Sequence, residues 1–249
     1  MSEDTSFGFK KVKRHLKQGL VNEVFNSVHT KYDLMNDIMS LGMHRLWKSS
    51  FVDHIQNFQG KFLDVASGSG DIALKIIQRA QTLNINVDIT LSDINESMLN
   101  KARDKLLNHG YLQNISYKIA NAEELPFQDA SFDYYTIAFG LRNCSDFSKV
   151  LKEAYRVLKP GGKFLCLEFS QVDNICLKQM YQLYSNKIIP KLGEWITDDR
   201  EAYKYLVESI ALFPNQEALK SLIKDSGFEI AKFQNLTGGI VAIHTGYKI

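Results

Sequence analysis

From Lys61 onward, short apolar runs alternate with amphipathic stretches, and this pattern predicts most of the chain's elements. Strands are expected at 61–66, 87–93, 115–120, 132–138 and 163–169. Between them, apolar residues recur at helical spacing over about 71–81, 96–109 and 147–158. Strict alternation of strand and helix implies an α/β fold, a parallel sheet with helices on both faces. Two further strands, 228–235 and 240–247, flank Thr237-Gly238-Gly239, a hairpin signal that gives the sheet an antiparallel end. Residues 19–58 lack strand alternation and read as helices, with Leu34, Ile38 and Leu41, then Trp47, Phe51 and Ile55, at helical spacing. Residues 172–213 form a second helical stretch, rich in Tyr, Leu and Ile and broken at Pro190 and Gly193. The expected organisation is an arm (1–18) and one domain (19–249), with a helical cap over 19–60 and a helical lid over 172–213.

The chemistry concentrates in Lys61–Asp71, KFLDVASGSGD. A buried strand carries Asp64 and runs into a Gly68-Ser69-Gly70 turn that opens a helix. Glycines there let backbone approach a ligand closely, and an acid at the tip of the next strand, Asp93, suits both hydroxyls of a ribose. An adenosine-containing cofactor is implied. The loop alone also satisfies the dinucleotide pattern G-x-G-x-x-A through Ala73. Three features favour S-adenosylmethionine. Asp64 would repel a pyrophosphate, whereas Asp64 and Asp71 would attract an ammonium and a sulfonium. After the third strand, Asn121-Ala122-Glu123-Glu124-Leu125-Pro126-Phe127 offers a polar side chain and an amide to an adenine edge, with apolar neighbours for its faces. The terminal hairpin suits a seven-stranded methyltransferase sheet better than a dinucleotide domain.

Charge and composition narrow the partners. A net charge of +2 over 249 residues gives no nucleic-acid footprint. Lys10, Lys11, Lys13, Arg14 and Lys17 cluster near the start and read as a solvated, flexible arm, with attraction to an anionic membrane surface as the functional alternative. Cys144, Cys166 and Cys176 lack C-x-x-C spacing, so reduced thiols in a cytoplasmic setting are expected. No metal cluster, secretory signal or membrane-spanning run is expected.

Two long segments carry a family resemblance. Tyr32-Asp33-Leu34-Met35-Asn36-Asp37-Ile38-Met39-Ser40 with His44-Arg45-Leu46-Trp47, and Arg156-Val157-Leu158-Lys159-Pro160-Gly161-Gly162 running on to Leu167-Glu168-Phe169-Ser170, resemble signatures of the UbiE-type ubiquinone/menaquinone biosynthesis C-methyltransferases. Phe139-Gly140-Leu141-Arg142-Asn143 and the ending Gly246-Tyr247-Lys248 are also similar to theirs. The resemblance implies a class I, Rossmann-like methyltransferase of seven mostly parallel strands, using S-adenosylmethionine. The cofactor-binding residues it implies are Asp64, Ala66, Gly68, Ser69, Gly70, Asp71, Asp93, Ile94, Asn121, Ala122 and Ala138. Where the family often has glycine and serine, this chain has Ser67 and Ala138. Ser67 therefore needs a backbone angle open to a side chain, and Ala138 retains only a backbone contact.

The implied acceptor is a ring carbon of a polyprenylated benzoquinol or naphthoquinol, made nucleophilic when the adjacent hydroxyl loses its proton. Arg142 and Asn143 are expected at the acceptor, with Arg142 stabilising the phenolate. Tyr32 and His44 are expected over the same cleft, with His44 suited to proton transfer near neutrality. Met35, Met39 and Met43 form one helix stripe, read as core packing or as a pliable wall for an isoprenoid tail. Implied associations are peripheral contact with the inner face of a membrane and a homodimer or quinone-making assembly. The competing readings are an RNA or small-aromatic methyltransferase and a non-catalytic scaffold. A nucleic-acid enzyme is disfavoured by the missing N-P-P-Y-like tetrad after the fourth strand, and a scaffold has no use for three intact acids.

Overall fold

A computed structural model describes residues 4–28, 36–37, 40–172 and 200–249. Chain order begins with a hairpin, β1 (Asp4–Phe7) and β2 (Lys10–Lys13), then α1 (Arg14–Val28) and α2 (His44–Asp53). The alternating part follows: β3 (Lys61–Val65), α3 (Asp71–Thr82), β4 (Asp88–Asp93), α4 (Glu96–Asn108), β5 (Ile115–Ile119), β6 (Phe132–Ala138), α5 (Phe147–Val157) and β7 (Leu158–Phe169). It closes with α6 (Arg200–Leu212), α7 (Gln216–Asp225), β8 (Glu229–Leu236) and β9 (Val241–Tyr247).

The larger sheet has seven strands in the order β5-β4-β3-β6-β7-β9-β8, with β9 antiparallel to both its neighbours. From β3 the chain winds outward to β4 and β5, then returns to place β6 on its other side. That reversal opens a crevice at the carboxyl ends of β3, β4 and β6.

Alternate residues of the central strands feed two cores, because a sheet covered on both faces must be apolar on both. Phe62, Ile89, Leu91, Leu165 and Leu167 face α2, α3, α4 and α6. Leu63, Val65, Tyr135, Ile137, Phe164 and Cys166 face α5 and α7. Asn95 and Asp146 cap α4 and α5, each accepting a backbone N–H three residues on.

The structure departs from expectation in three places. The basic segment is no free arm: it forms the β1–β2 hairpin and opens α1, with Phe7 stacked on Tyr205 at 4.3 Å and Lys17 buried. Strand β7 starts at Leu158, so the Lys159–Gly162 turn lies within it and the pairing with β6 shifts register between Phe132 and Tyr134. Helix α7 was unforeseen, although the Asn215 cap, the buried Leu219 and Ile223 and the following Gly227 announce it. Much of the expected lid, residues 173–199, lies outside the described residues. At the outer edge, β8 shifts register between Glu229 and Lys232, with Ile230 at a φ of +50°.

Close helix–helix approach explains Gly70, the residue before α3. Its φ is +78°, and a Cβ there would lie 2.9 Å from the Ala102 Cβ on α4. Gly70→Ala is expected to lower unfolding free energy by about 2 kcal/mol, combining backbone strain with overpacking. Urea denaturation followed by circular dichroism reads this directly.

Candidate active site

The loop from β3 to α3 is shaped by three left-handed residues: Ala66, Gly68 and Gly70, with φ of +51°, +54° and +78°. Ser67 has no positive φ, so the side chain replacing the family's glycine sits in permitted backbone, and the strain falls on Ala66. Asp93, at the tip of β4, pins the loop. Its Oδ2 accepts from the Gly68 N–H at 2.8 Å and its Oδ1 from the Asn95 N–H at 2.9 Å. Burial nonetheless pushes the Asp93 carboxyl above the usual carboxylate range.

A two-lobed cleft opens around this loop. The larger lobe, about 660 Å³ including its mouth, presents Asp93, Ile94, Met98, Ala122 and Asn143. The smaller, about 370 Å³, presents Lys48, Asp64, Ser69 and Asp71. Ala66, Gly68, Ala138 and Phe139 wall both. One end thus joins a carboxylate to apolar walls, as a nucleoside needs. The other end holds opposite charges, as an amino acid needs.

Asp64 decides the chemistry of the smaller lobe. It is 1% exposed, its Oδ1 accepts from the Thr136 hydroxyl at 2.7 Å, and its Oδ2 is buried with no partner. Burial pushes its pKa up to about 7, with Asp93 and Asp71 adding to the rise and the Thr136 hydroxyl and the Ala73 N–H opposing it. An orphaned, partly protonated carboxyl would be a poor neighbour for a pyrophosphate. An ammonium placed in this lobe would supply the missing partner.

Asp71 corrects the expectation. Lys48 and Lys105 clamp its two oxygens at 2.5 and 2.6 Å, and the two ammonium groups hold its pKa far below the usual range against the cost of burial. Its charge is already shared between two lysines, which leaves none for a third cation. The lysines were missed in the sequence, although Lys48 lies among the apolar positions of α2 and is 7% exposed. Lys105 also donates to the Ser69 hydroxyl at 3.2 Å, which leaves the hydroxyl proton for a carboxylate. Asn121 Oδ1 accepts from the Glu123 N–H at 2.9 Å and shapes the loop, while Ala120 and Ala122 form the wall.

The acceptor residues separate. Asn143 walls the larger lobe and accepts from the Tyr205 hydroxyl at 3.1 Å. Arg142 does not stand open to a phenolate: it is 7% exposed, and its NH1 meets Glu168 at 2.9 Å and the Phe139 carbonyl at 2.6 Å. Glu168 already neutralises the charge expected to bind an acceptor. His44 opens α2, buried, with Nε2 2.8 Å from Asp37 and Nδ1 without a partner. Tyr32, Met35 and Met39 lie outside the described residues, while Met43 packs on the core.

Gln18, Val21 and Asn22 of α1 also wall the larger lobe, a role the charge run concealed. Lys17 donates to the Cys144 carbonyl at 2.6 Å, and burial lowers its pKa. Arg14 pairs with Asp146, so the N-terminal unit is tied to the loop after β6. Cys144 and Cys166 are buried free thiols. Among the described residues, no cluster of three potential ligands could hold a metal.

A family model described as the ubiE/COQ5 methyltransferase family matches residues 11–248. The chain belongs to the ubiE/COQ5 methyltransferase family. It is 58% identical over 245 residues to the ubiquinone/menaquinone biosynthesis C-methyltransferase UbiE of Rickettsia bellii (strain RML369-C), covering 98% of this chain and 99% of that one. The UbiE of Rickettsia prowazekii (strain Madrid E) is 58% identical over 246 residues, covering 99% of each. In fold, this ubiE/COQ5 member is similar to an S-adenosylmethionine-dependent methyltransferase of Thermotoga maritima, a possible histamine N-methyltransferase. The TM-score is 0.63 at 20% identity, over 91% of this chain and 99% of that one. It is also similar to phosphoethanolamine N-methyltransferase 2 of Haemonchus contortus in complex with S-adenosyl-L-methionine. There the TM-score is 0.57 at 15% identity, over 81% of this chain and 52% of that one. The cofactor of this ubiE/COQ5 methyltransferase is S-adenosylmethionine, and the two lobes fit its two halves.

Only the ionised form of Asp64 can pair with the cofactor's ammonium. Cofactor affinity, measured by calorimetry, is therefore expected to rise by up to about tenfold per unit between about pH 5.5 and 7 and to level off above. Asp64→Asn should bind weakly and lose the slope; a flat wild-type profile would place the ammonium elsewhere.

Proposed function

We propose that the chain transfers a methyl group to a ring carbon of a polyprenylated demethyl benzoquinol or naphthoquinol in ubiquinone/menaquinone biosynthesis. The observation that carries this reading is 58% identity, over almost the whole of both chains, to relatives named ubiquinone/menaquinone biosynthesis C-methyltransferases. S-adenosylmethionine, when bound, supplies an electrophilic methyl on a sulfonium.

The chain's own residues do the rest. Asp93 and the left-handed loop hold the nucleoside half, while Asp64, Ser69 and Lys48 hold the amino-acid half. Helix α1 roofs the larger lobe through Val21 and excludes water from it. Phe139 and Asn143 face the cleft and set where an aromatic acceptor rests. Fixing the acceptor carbon in line with the methyl removes much of the entropic barrier to transfer.

A phenol must lose its proton for charge to reach the ring carbon. His44 is the acceptor of that proton in this reading, through a partnerless Nδ1 that is buried in this structure and walls neither lobe. A carboxylate only accepts hydrogen bonds, so Asp37 fixes the imidazole proton on Nε2 and leaves a lone pair on Nδ1. Burial lowers the His44 pKa, with Lys48 also lowering it and Asp37 and Asp71 opposing, so the ring is a neutral base at physiological pH. The acceptor's tail implies contact with a membrane surface, and no described helix is long and apolar enough to cross one. Phe9, 66% exposed at the hairpin tip beside exposed Lys10 and Lys11, supports that contact.

Methyl-labelled cofactor and short-tailed demethyl quinols of both ring types test the reaction. Label should enter the ring only under a strong reductant, since the oxidised quinone lacks the electron density to attack; equal transfer without reductant would count against the carbanion-like acceptor. His44→Gln should lower kcat by about 10²-fold, the usual worth of a general base, with cofactor affinity almost unchanged. Unimpaired turnover would move proton acceptance to another group.

A further inference from the structure

The turn after β6 holds a bulky residue where side chains resist being held. Phe139 has a φ of +56°, an outlier for an aromatic residue that persists only when its surroundings over-determine it. Its N–H donates to the Leu167 carbonyl at 2.8 Å. Its own carbonyl accepts from Arg142 NH1 at 2.6 Å and from Asn143 Nδ2 at 3.4 Å. The next residue, Gly140, is pressed against the glycine loop: a Cβ there would lie 2.5 Å from the Ala66 Cβ.

These contacts converge on one carboxylate. Glu168, at the end of β7 and 1% exposed, accepts from Arg142 NH1 at 2.9 Å and from the Arg142 backbone N–H at 3.1 Å. It also accepts from the Phe169 N–H at 3.1 Å. The Arg142 guanidinium carbon lies 5.9 Å from the Phe139 ring centre and 5.4 Å from that of Phe169, so both rings flank the ion pair. Neither Arg142 nor Glu168 walls the two lobes described above, but the turn they hold does, through Phe139, Gly140 and Asn143.

We infer that Glu168 is a positioning residue for methyl transfer: acting through Arg142, it keeps Phe139 in its left-handed conformation and so fixes the wall shared by the two lobes. The inference rests on the methyltransferase reading of the cleft. A pair kept for stability alone would be replaceable, because buried ion pairs often give way to apolar residues of similar size without loss. A pair that restrains a strained turn at the reacting centre is not, since misplacement by about 1 Å costs about 10²-fold in rate.

Three variants of the full-length chain test this, each checked by thermal unfolding. Glu168→Asp keeps the charge and withdraws the carboxylate by one methylene. Arg142→Met with Glu168→Leu removes both charges and leaves neither unpaired. Phe139→Gly frees the turn, because glycine takes a positive φ without strain. In the first two, kcat with a short-tailed quinol is expected to fall by about 10²-fold, with cofactor affinity changing much less. Glu168→Asp added to Phe139→Gly should cost almost nothing further, because the strain it restrains is gone. Turnover close to wild type in the folded Glu168→Asp protein, or fully additive losses, would overturn the inference.

A second readout needs no acceptor. Trp47 lies 6.4 Å from the Phe139 ring and 6.0 Å from that of Phe169. In a Trp195→Phe background it is the one tryptophan left of two, and Glu168→Asp should shift its emission and expose it to quenchers. Unchanged emission would also overturn the inference. A wild-type chain that methylates neither quinol would instead count against the acceptor, leaving the tryptophan signal to decide on Glu168.

Discussion

Two turns of backbone meet over the ends of β3 and β6 with no room between them for more than a methyl group, and the site depends on that contact. Ala66 leaves β3 with a left-handed φ, and Gly140 leaves the turn after β6 so close to it that any side chain would overlap the Ala66 Cβ. The approach is possible because β3 and β6 are parallel neighbours at the point where the winding reverses, so both turns rise from the same edge. One turn presents the cleft with backbone amides, and the other supplies the wall that both lobes share. A displacement of either turn moves the nucleoside, the amino-acid half and the acceptor wall together.

Electrostatic pairing decides which charges are available to ligands. Asp71 and Asp64 lie seven residues apart in one motif, yet they reach opposite states. Asp71 meets two lysines and stays ionised, spending its charge within the protein. Asp64 meets one hydroxyl, one backbone N–H and two like charges, so its full ionisation awaits a cation from outside. Arg142 and Glu168 repeat the first pattern deeper in the core, where each charge is tolerated only because the other is there.

The alternating pattern made the sheet legible, down to the antiparallel hairpin, because burial on both faces imposes continuous apolar strands at a fixed period. The glycine loop, Asp64 and Asp93 were legible for a related reason: close backbone approach and a strand-tip acid leave local signatures. What escaped was set by long-range packing. Lys17 reads as part of a solvated charge run, and only the fold reveals the Cys144 carbonyl that receives it. Arg142 reads as a ligand-facing cation because its partner Glu168 lies 26 residues away on the next strand.

The irregular outer strand carries a consequence for self-association. An open sheet edge invites another chain to add a strand, and the usual defences are a bulge, a lysine and broken register. Strand β8 has all three: the shift between Glu229 and Lys232, the left-handed Ile230 between them, and Lys232 itself. The interruption twists the exposed backbone out of the geometry that ladder pairing requires. A second copy therefore finds no regular ladder to extend along this strand.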